Sequence, residues 1–254
     1  MTGRKALIVA TVCALVVFSI TLASASSLSV SSPAGLFQSS SVEPVRSDVR
    51  DRFNIGAAAP LQGQITDFHG GQSWGADEGP MWNTYTGGVA STDWVNESSN
   101  FLRRPVGGLS STALVPYLVR ESRVRIDMRQ LSTTTVGGVM SGADPTGTTG
   151  LTAVGFWDGS TYRFGIVLFT SGTASLCSPL VDIGAAAGNR WRIEMTFAPA
   201  SGGPAAATLV KAGGGGGSFS VTSTCSTVAA SGSHAGIMSY SADNTRYDNF
   251  LARL

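Results

Sequence analysis

The chain has 254 residues, 43% of them hydrophobic, with seventeen Lys and Arg against sixteen Asp and Glu and a formal net charge of +1. That length suits one large domain rather than two, and the near-neutral charge lacks the basic footprint a phosphate backbone demands, which excludes nucleic acid as an expected partner. Loss of Arg4 and Lys5 with a leader leaves fifteen basic to sixteen acidic groups, and no electrostatic partner is implied.

Arg4 and Lys5 precede an uncharged apolar run from Ala6 to Leu22, and Ala23, Ser24 and Ala25 supply the small-residue pattern that signal peptidase cuts. Residues 1–25 are therefore expected to be a signal peptide, with a mature chain starting near Ser26 and acting outside the cell or on its surface. The rival is an uncleaved anchor, because the apolar run reaches the lower limit of a membrane span; only then is a membrane a partner. Residues 26–44 are Ser-rich with Pro33 and Pro44 and no apolar period, the pattern of a flexible linker. Residues 45–254 are expected to form one domain without internal repeats. Its single lysine, Lys211, against fourteen arginines, with abundant Ala and Gly, fits a bacterial chain from a GC-rich genome, in which the sequon at Asn96 goes unused.

Within that domain apolar residues alternate with period two. Val124, Ile126 and Met128 alternate with Arg123, Arg125, Asp127 and Arg129, and Trp191, Ile193, Met195 and Phe197 alternate with Arg190, Arg192, Glu194 and Thr196. Each run predicts a strand with one wet face. The segments 151–157 and 162–169 flank Asp158 and Gly159, a dipeptide suited to the positive φ of a tight hairpin turn. Gly-rich loops, Gly213 to Gly217 among them, separate the rest. No part of the mature chain sustains a helical period, so the fold class is all-β, a sandwich. Two cysteines remain after loss of Cys13 with the leader, and in an exported chain Cys177 and Cys225 are expected to form a disulfide.

The stretch from Gly236 to Leu251 resembles the closing strands of concanavalin A-like (laminin-G-like) jelly-roll domains of secreted proteins: a Gly-rich turn, a strand, a polar turn, then Asp248, Asn249 and Phe250 on the last strand. Asp51 and Phe53 match the opening Asp-x-Phe strand of such domains. Gly70 to Trp74 match a hairpin, Trp82 a later aromatic, and Arg190 to Met195 an inner strand; the segment 90–122 fits less well. The resemblance implies a two-sheet antiparallel jelly-roll sandwich with Trp74, Trp82 and Trp191 as structural aromatics. It does not choose among lectins, polysaccharide-cleaving enzymes and adhesive modules, all of which use this scaffold. Some relatives hold a structural Ca²⁺ near the sandwich edge, and Asp51, Asp243 and Asp248 are the oxygen ligands this chain offers for one. Strict alternation places Asp248 on the core side with Phe250, where a bond to backbone amides or an arginine is the alternative to a metal.

Candidate chemistry is sparse. Gly71 to Gly75 satisfies the Gly-x-Ser-x-Gly pattern, with His69 and His234 as imaginable bases, but a turn follows where the nucleophile elbow needs a helix. Glycan hydrolases on this scaffold place two carboxylates on one strand; here Asp127 and Glu194 stand singly among arginines, as in surface ion pairs. No motif assembles the Tyr/His base of a lyase. Trp94, in a polar stretch, and Trp157, beside the Asp158 turn, are the tryptophans left to lie against a sugar ring, with Tyr85 in the same group and Asp93, Asn96 and Asp158 to bond its hydroxyls. The expected function is a non-catalytic glycan-binding or adhesive module for a polysaccharide or cell-surface glycan. The alternatives are a divergent hydrolase or lyase and a purely structural surface or particle protein.

Overall fold

A computed structural model describes residues 48–53, 58–66, 80–97, 101–103, 110–116, 122–129, 131–185, 190–197, 203–212, 216–226, 230, 232–240 and 245–253. The leader, the linker, His69, the Gly70 to Trp74 hairpin and Asp243 lie outside these residues.

In chain order the strands begin with β1 (Asp48–Asp51), β2 (Ala59–Pro60), β3 (Asn83–Thr86), β4 (Val89–Ala90), β5 (Val95–Glu97) and β6 (Phe101–Arg103). Next come β7 (Ser111–Pro116), β8 (Ser122–Arg129), β9 (Val136–Ala143), β10 (Gly150–Trp157), β11 (Tyr162–Thr170) and β12 (Thr173–Leu176). The last are β13 (Val181–Gly184), β14 (Arg190–Phe197), β15 (Ala206–Ala212), β16 (Gly217–Thr222), β17 (His234–Ser239) and β18 (Arg246–Arg253). No helix occurs among the described residues. The first sheet runs β16-β15-β14-β8-β18-β6-β5-β2, with β1 also on β18; the second runs β12-β11-β10-β9-β17-β7-β3-β4, with β13 also on β11. All pairings are antiparallel, and one of the two sheets curls into a half-barrel.

The alternation seen in sequence is the alternation of burial. Val124, Ile126 and Met128 of β8 and Trp191, Ile193, Met195 and Phe197 of β14 are fully buried between the sheets, while the charged residues between them face outward. Each such side chain removed from water contributes about 1.5–3 kcal/mol. Trp82 packs against Phe53 and Phe250 at 5.7 and 4.9 Å, and Tyr162 meets Trp191 edge-on at 5.3 Å. The opening Asp-x-Phe motif has a physical role in this core: Asp51 accepts hydrogen bonds from Trp82 Nε1 and Phe53 N, both at 2.6 Å. A buried carboxylate is thereby bonded on both oxygens and satisfies two buried donors.

Cys177 and Cys225 are joined, with Cα atoms 5.1 Å apart. The bond ties the segment after edge strand β12 to the segment after edge strand β16, so it closes the sandwich between the edges of its two sheets. The hydrogen bond from Thr224 N to Cys177 O, 2.5 Å, runs alongside it.

Asp248 departs from strict alternation. Asn249 takes φ 54°, and the register of β18 against β8 shifts between Asp248 and Leu251. This bulge turns Asp248 to the outer face, where its Oδ2 accepts from Arg129 at 3.3 Å and its Oδ1 from Asn249 N at 2.8 Å. Asn tolerates the left-handed region better than most residues, which is why the bulge falls there.

Candidate functional site

The residues expected to meet a sugar do not form one cluster. Trp94 is wholly buried: its ring packs on Tyr247 at 5.4 Å and its Nε1–H donates to Ser111 Oγ at 2.8 Å. Asn96 is buried as well and donates to Gln64 Oε1 at 2.6 Å. Both expectations are corrected, because neither side chain presents a surface to a ligand. The polar neighbours that made Trp94 look exposed are bonded to one another, Asp93 accepting from Thr86 Oγ1 at 2.6 Å. Trp157 is half-buried, edge-on to Tyr162 at 4.7 Å. Asp158 is consumed by its own turn, accepting from Ser160, Thr161 N and Arg163 Nε. Its burial opposes ionisation, but those bonds prevail and hold its carboxyl well below the ordinary range.

The expected calcium ligands are separated too. Asp51 faces the core and is bonded to Trp82 and Phe53, whereas the bulge puts Asp248 on the opposite side of the sheet. These two carboxylates cannot share an ion. Among the described residues no group of three His, Cys, Asp or Glu side chains is placed to hold a metal.

Tyr85 lies in a pocket of about 70 Å³. Four segments build it: the β3–β4 turn with Gly87 and Gly88, Ser110 and Thr112 at the start of β7, the loop before β10 with Thr146 and Thr148, and Phe169 with the turn after β11. Tyr85, Phe169 and the outer residues Leu114, Met140, Val154 and Met238 form a second apolar cluster on the far side of the second sheet from the main core. The pocket lies at the edge of that cluster. Trp157 sits at the other end of β10 from the pocket loop, roughly 20 Å along the strand.

Backbone geometry sets the pocket's shape. Gly147 has φ 69°, and a β-carbon there would stand 2.4 Å from Thr112 Oγ1; Gly88 has φ 80°, and a β-carbon there would stand 2.8 Å from Thr148 Cγ2. Side chains at either position would fill the space and strain the turn. Asp144 staples the loop, its Oδ1 accepting from Thr146 N and Oγ1 at 2.8 Å and its Oδ2 from Thr148 Oγ1 at 2.8 Å. Since both threonine hydroxyls give their protons to Asp144, each keeps only acceptor capacity toward the pocket. Thr112 Oγ1 is buried and has no hydrogen-bond partner within the structure. These loop residues escaped the sequence reading, although an Asp followed by Pro, Thr, Gly and Thr is a side-chain-capped turn signal.

Burial opposes ionisation of Asp144, but the bonds from Thr148 and Thr146 outweigh it and hold the carboxyl at about 2. A depressed native pKa adds stability that is fully present above the unfolded value near 4 and is lost as pH falls toward about 2. Carbon-detected NMR titration of the Asp144 carboxyl should give a midpoint near that lower value; a midpoint near 4 would show the staple is not formed.

The pocket has no charged lining side chain, and neither His234 nor an arginine lines it. Burial lowers the His234 pKa, and its Nδ1 lies 3.3 Å from Ser233 Oγ, its chain neighbour. Asp127 and Glu194 are held in ion pairs with Arg190, Arg192 and Arg123 on the outer face of the first sheet.

The fold is a two-sheet antiparallel β-sandwich. No protein-family model matches the chain, and no curated protein matches it by sequence. Among solved structures it is similar to the carbohydrate binding module CBM66 from Bacillus subtilis, with TM-score 0.45 and 14% identity over 68% of this chain and 95% of that one. It is also similar to lectin I-B4 from Griffonia simplicifolia, with TM-score 0.46 and 9% identity over 67% and 92% of the two chains. The alginate lyase Aly36B gives TM-score 0.40 and 14% identity over 83% and 98%. Likenesses at these scores carry no argument about ligand or reaction.

Proposed function

We propose that the chain is an exported, non-catalytic module that holds a neutral segment of a polysaccharide or cell-surface glycan in the Tyr85 pocket. The observation that carries this reading is the pocket's chemistry: an aromatic ring among hydroxyl-bearing residues, with no charged side chain. A pyranose presents apolar C–H faces to a ring such as Tyr85 and a rim of hydroxyls that both donate and accept. Thr146 and Thr148, already donating to Asp144, accept from such hydroxyls. The pocket offers no pair of carboxylates to cleave a glycosidic bond.

Affinity chromatography on immobilised neutral polysaccharides tests the reading. The purified protein should be retarded without releasing new reducing ends, and Tyr85→Ala, checked to be folded, should weaken retention about tenfold. Depolymerisation would make the protein an enzyme. Retention that ignores Tyr85→Ala would place the site elsewhere, and a full panel without retention would leave a structural role.

A further inference from the structure

Strands β14, β8, β18 and β6 lie side by side in the first sheet, and their register sets Arg190 opposite Arg129, Arg129 opposite Arg246, and Arg246 opposite Arg103. One arginine per strand therefore forms a row stepped at about 4.8 Å, the spacing of neighbouring strands. Arg192, Arg125, Arg123 and Arg253 extend the pattern along the strands. Together β5, β6, β8, β14 and β18 carry eight arginines against four acidic residues, Glu97, Asp127, Glu194 and Asp248. The whole chain is close to neutral, so these five strands carry more than their share of its positive charge.

Like charges placed directly opposite each other across strands are destabilising. Here the carboxylates that offset them lie deeper than the arginines. Side-chain exposure is 0% for Asp127, 14% for Asp248, 17% for Glu97 and 22% for Glu194, against 30% for Arg246, 35% for Arg103 and Arg190, 37% for Arg129 and 45% for Arg192. In each pair the arginine is the more exposed partner. Arg129 and Arg246 also stack over Phe101 at 5.1 and 5.5 Å, which steadies them without using their N–H donors. The buried Nε atoms of Arg125 and Arg129 have no hydrogen-bond partner.

We propose that this face docks an anionic polysaccharide whose charges are carboxylates, a polyuronate lying across the strands. Arginine forks pair with carboxylates bidentately. An extended polyuronate offers one carboxylate per sugar at a repeat close to the strand spacing, whereas each strand of duplex DNA carries one phosphate per about 3.4 Å of helix axis. The surface is separate from the Tyr85 pocket and does not depend on what that pocket holds.

The test uses immobilised polygalacturonate and its methyl ester, the same polymer without the charge. Wild-type protein should be retained by the acid at least about tenfold more strongly than by the ester, and salt of about 0.5 M should abolish most of the difference. Arg103→Gln combined with Arg253→Gln should weaken retention about threefold or more. Equal retention on acid and ester, retention insensitive to salt, or tighter binding of duplex DNA than of polygalacturonate at equal salt would overturn the proposal. The acid-to-ester comparison needs no variant and decides the matter if the double substitution does not fold.

Discussion

Trp94→Ala is expected to cost about 3–5 kcal/mol of folding stability. The indole has no exposed surface, its ring is packed on Tyr247, and its N–H is bonded to Ser111 Oγ. Truncation leaves a cavity between Ser111 of β7 and Tyr247 of β18, and the Ser111 hydroxyl keeps its bonds to Tyr85 O and Thr86 but loses a donor. For a domain of this size the melting temperature should fall on the order of 10 °C. Urea unfolding of the wild type and the variant measures the loss. A change under about 1 kcal/mol would mean that Trp94 is not the core residue its burial indicates.

Loss of the Cys177–Cys225 bond should have a comparable effect, for a different reason. The bond closes a sequence separation of 48 residues, and restriction of the unfolded chain across such a loop contributes about 4 kcal/mol in the chain-entropy account. It also holds the two sheet edges together, so the reduced protein should open first at β12 and β16. Unfolding curves with and without reductant, and of Cys177→Ala with Cys225→Ala, should agree with each other and lie well below the oxidised wild type. Two titratable thiols in the unfolded, unreduced protein would contradict the bond outright.

Strands that pair one wet face with one buried face were legible in sequence because burial and alternation are then the same pattern. The strands β8, β14, β10 and β11 fall where periodicity put them, the last two flanking Gly159 with φ 96°. The segment 90–122 was not legible because β5 and β6 have only three residues each, too few to show a period. Strict alternation puts Asp248 on the wrong face because one residue in the left-handed region at Asn249 reverses every side chain before it. Local polarity misled at Trp94, where hydroxyls and a carboxylate that suggest an open loop are spent on one another. The near-neutral total charge hid an arginine-lined face, since a sum carries no information about where the charges lie. Of the candidate site only Tyr85 was foreseen, because the other pocket residues come from turns far apart in sequence.

Amide chemical-shift mapping on titration with a retained neutral oligosaccharide tests the central claim most directly. Saturable shifts at the amides of Gly87, Gly88, Thr146, Gly147 and Gly172, with no cleavage product in the tube, are the predicted result. Shifts confined to residues away from these turns, or the appearance of shorter oligosaccharides during the titration, would contradict it.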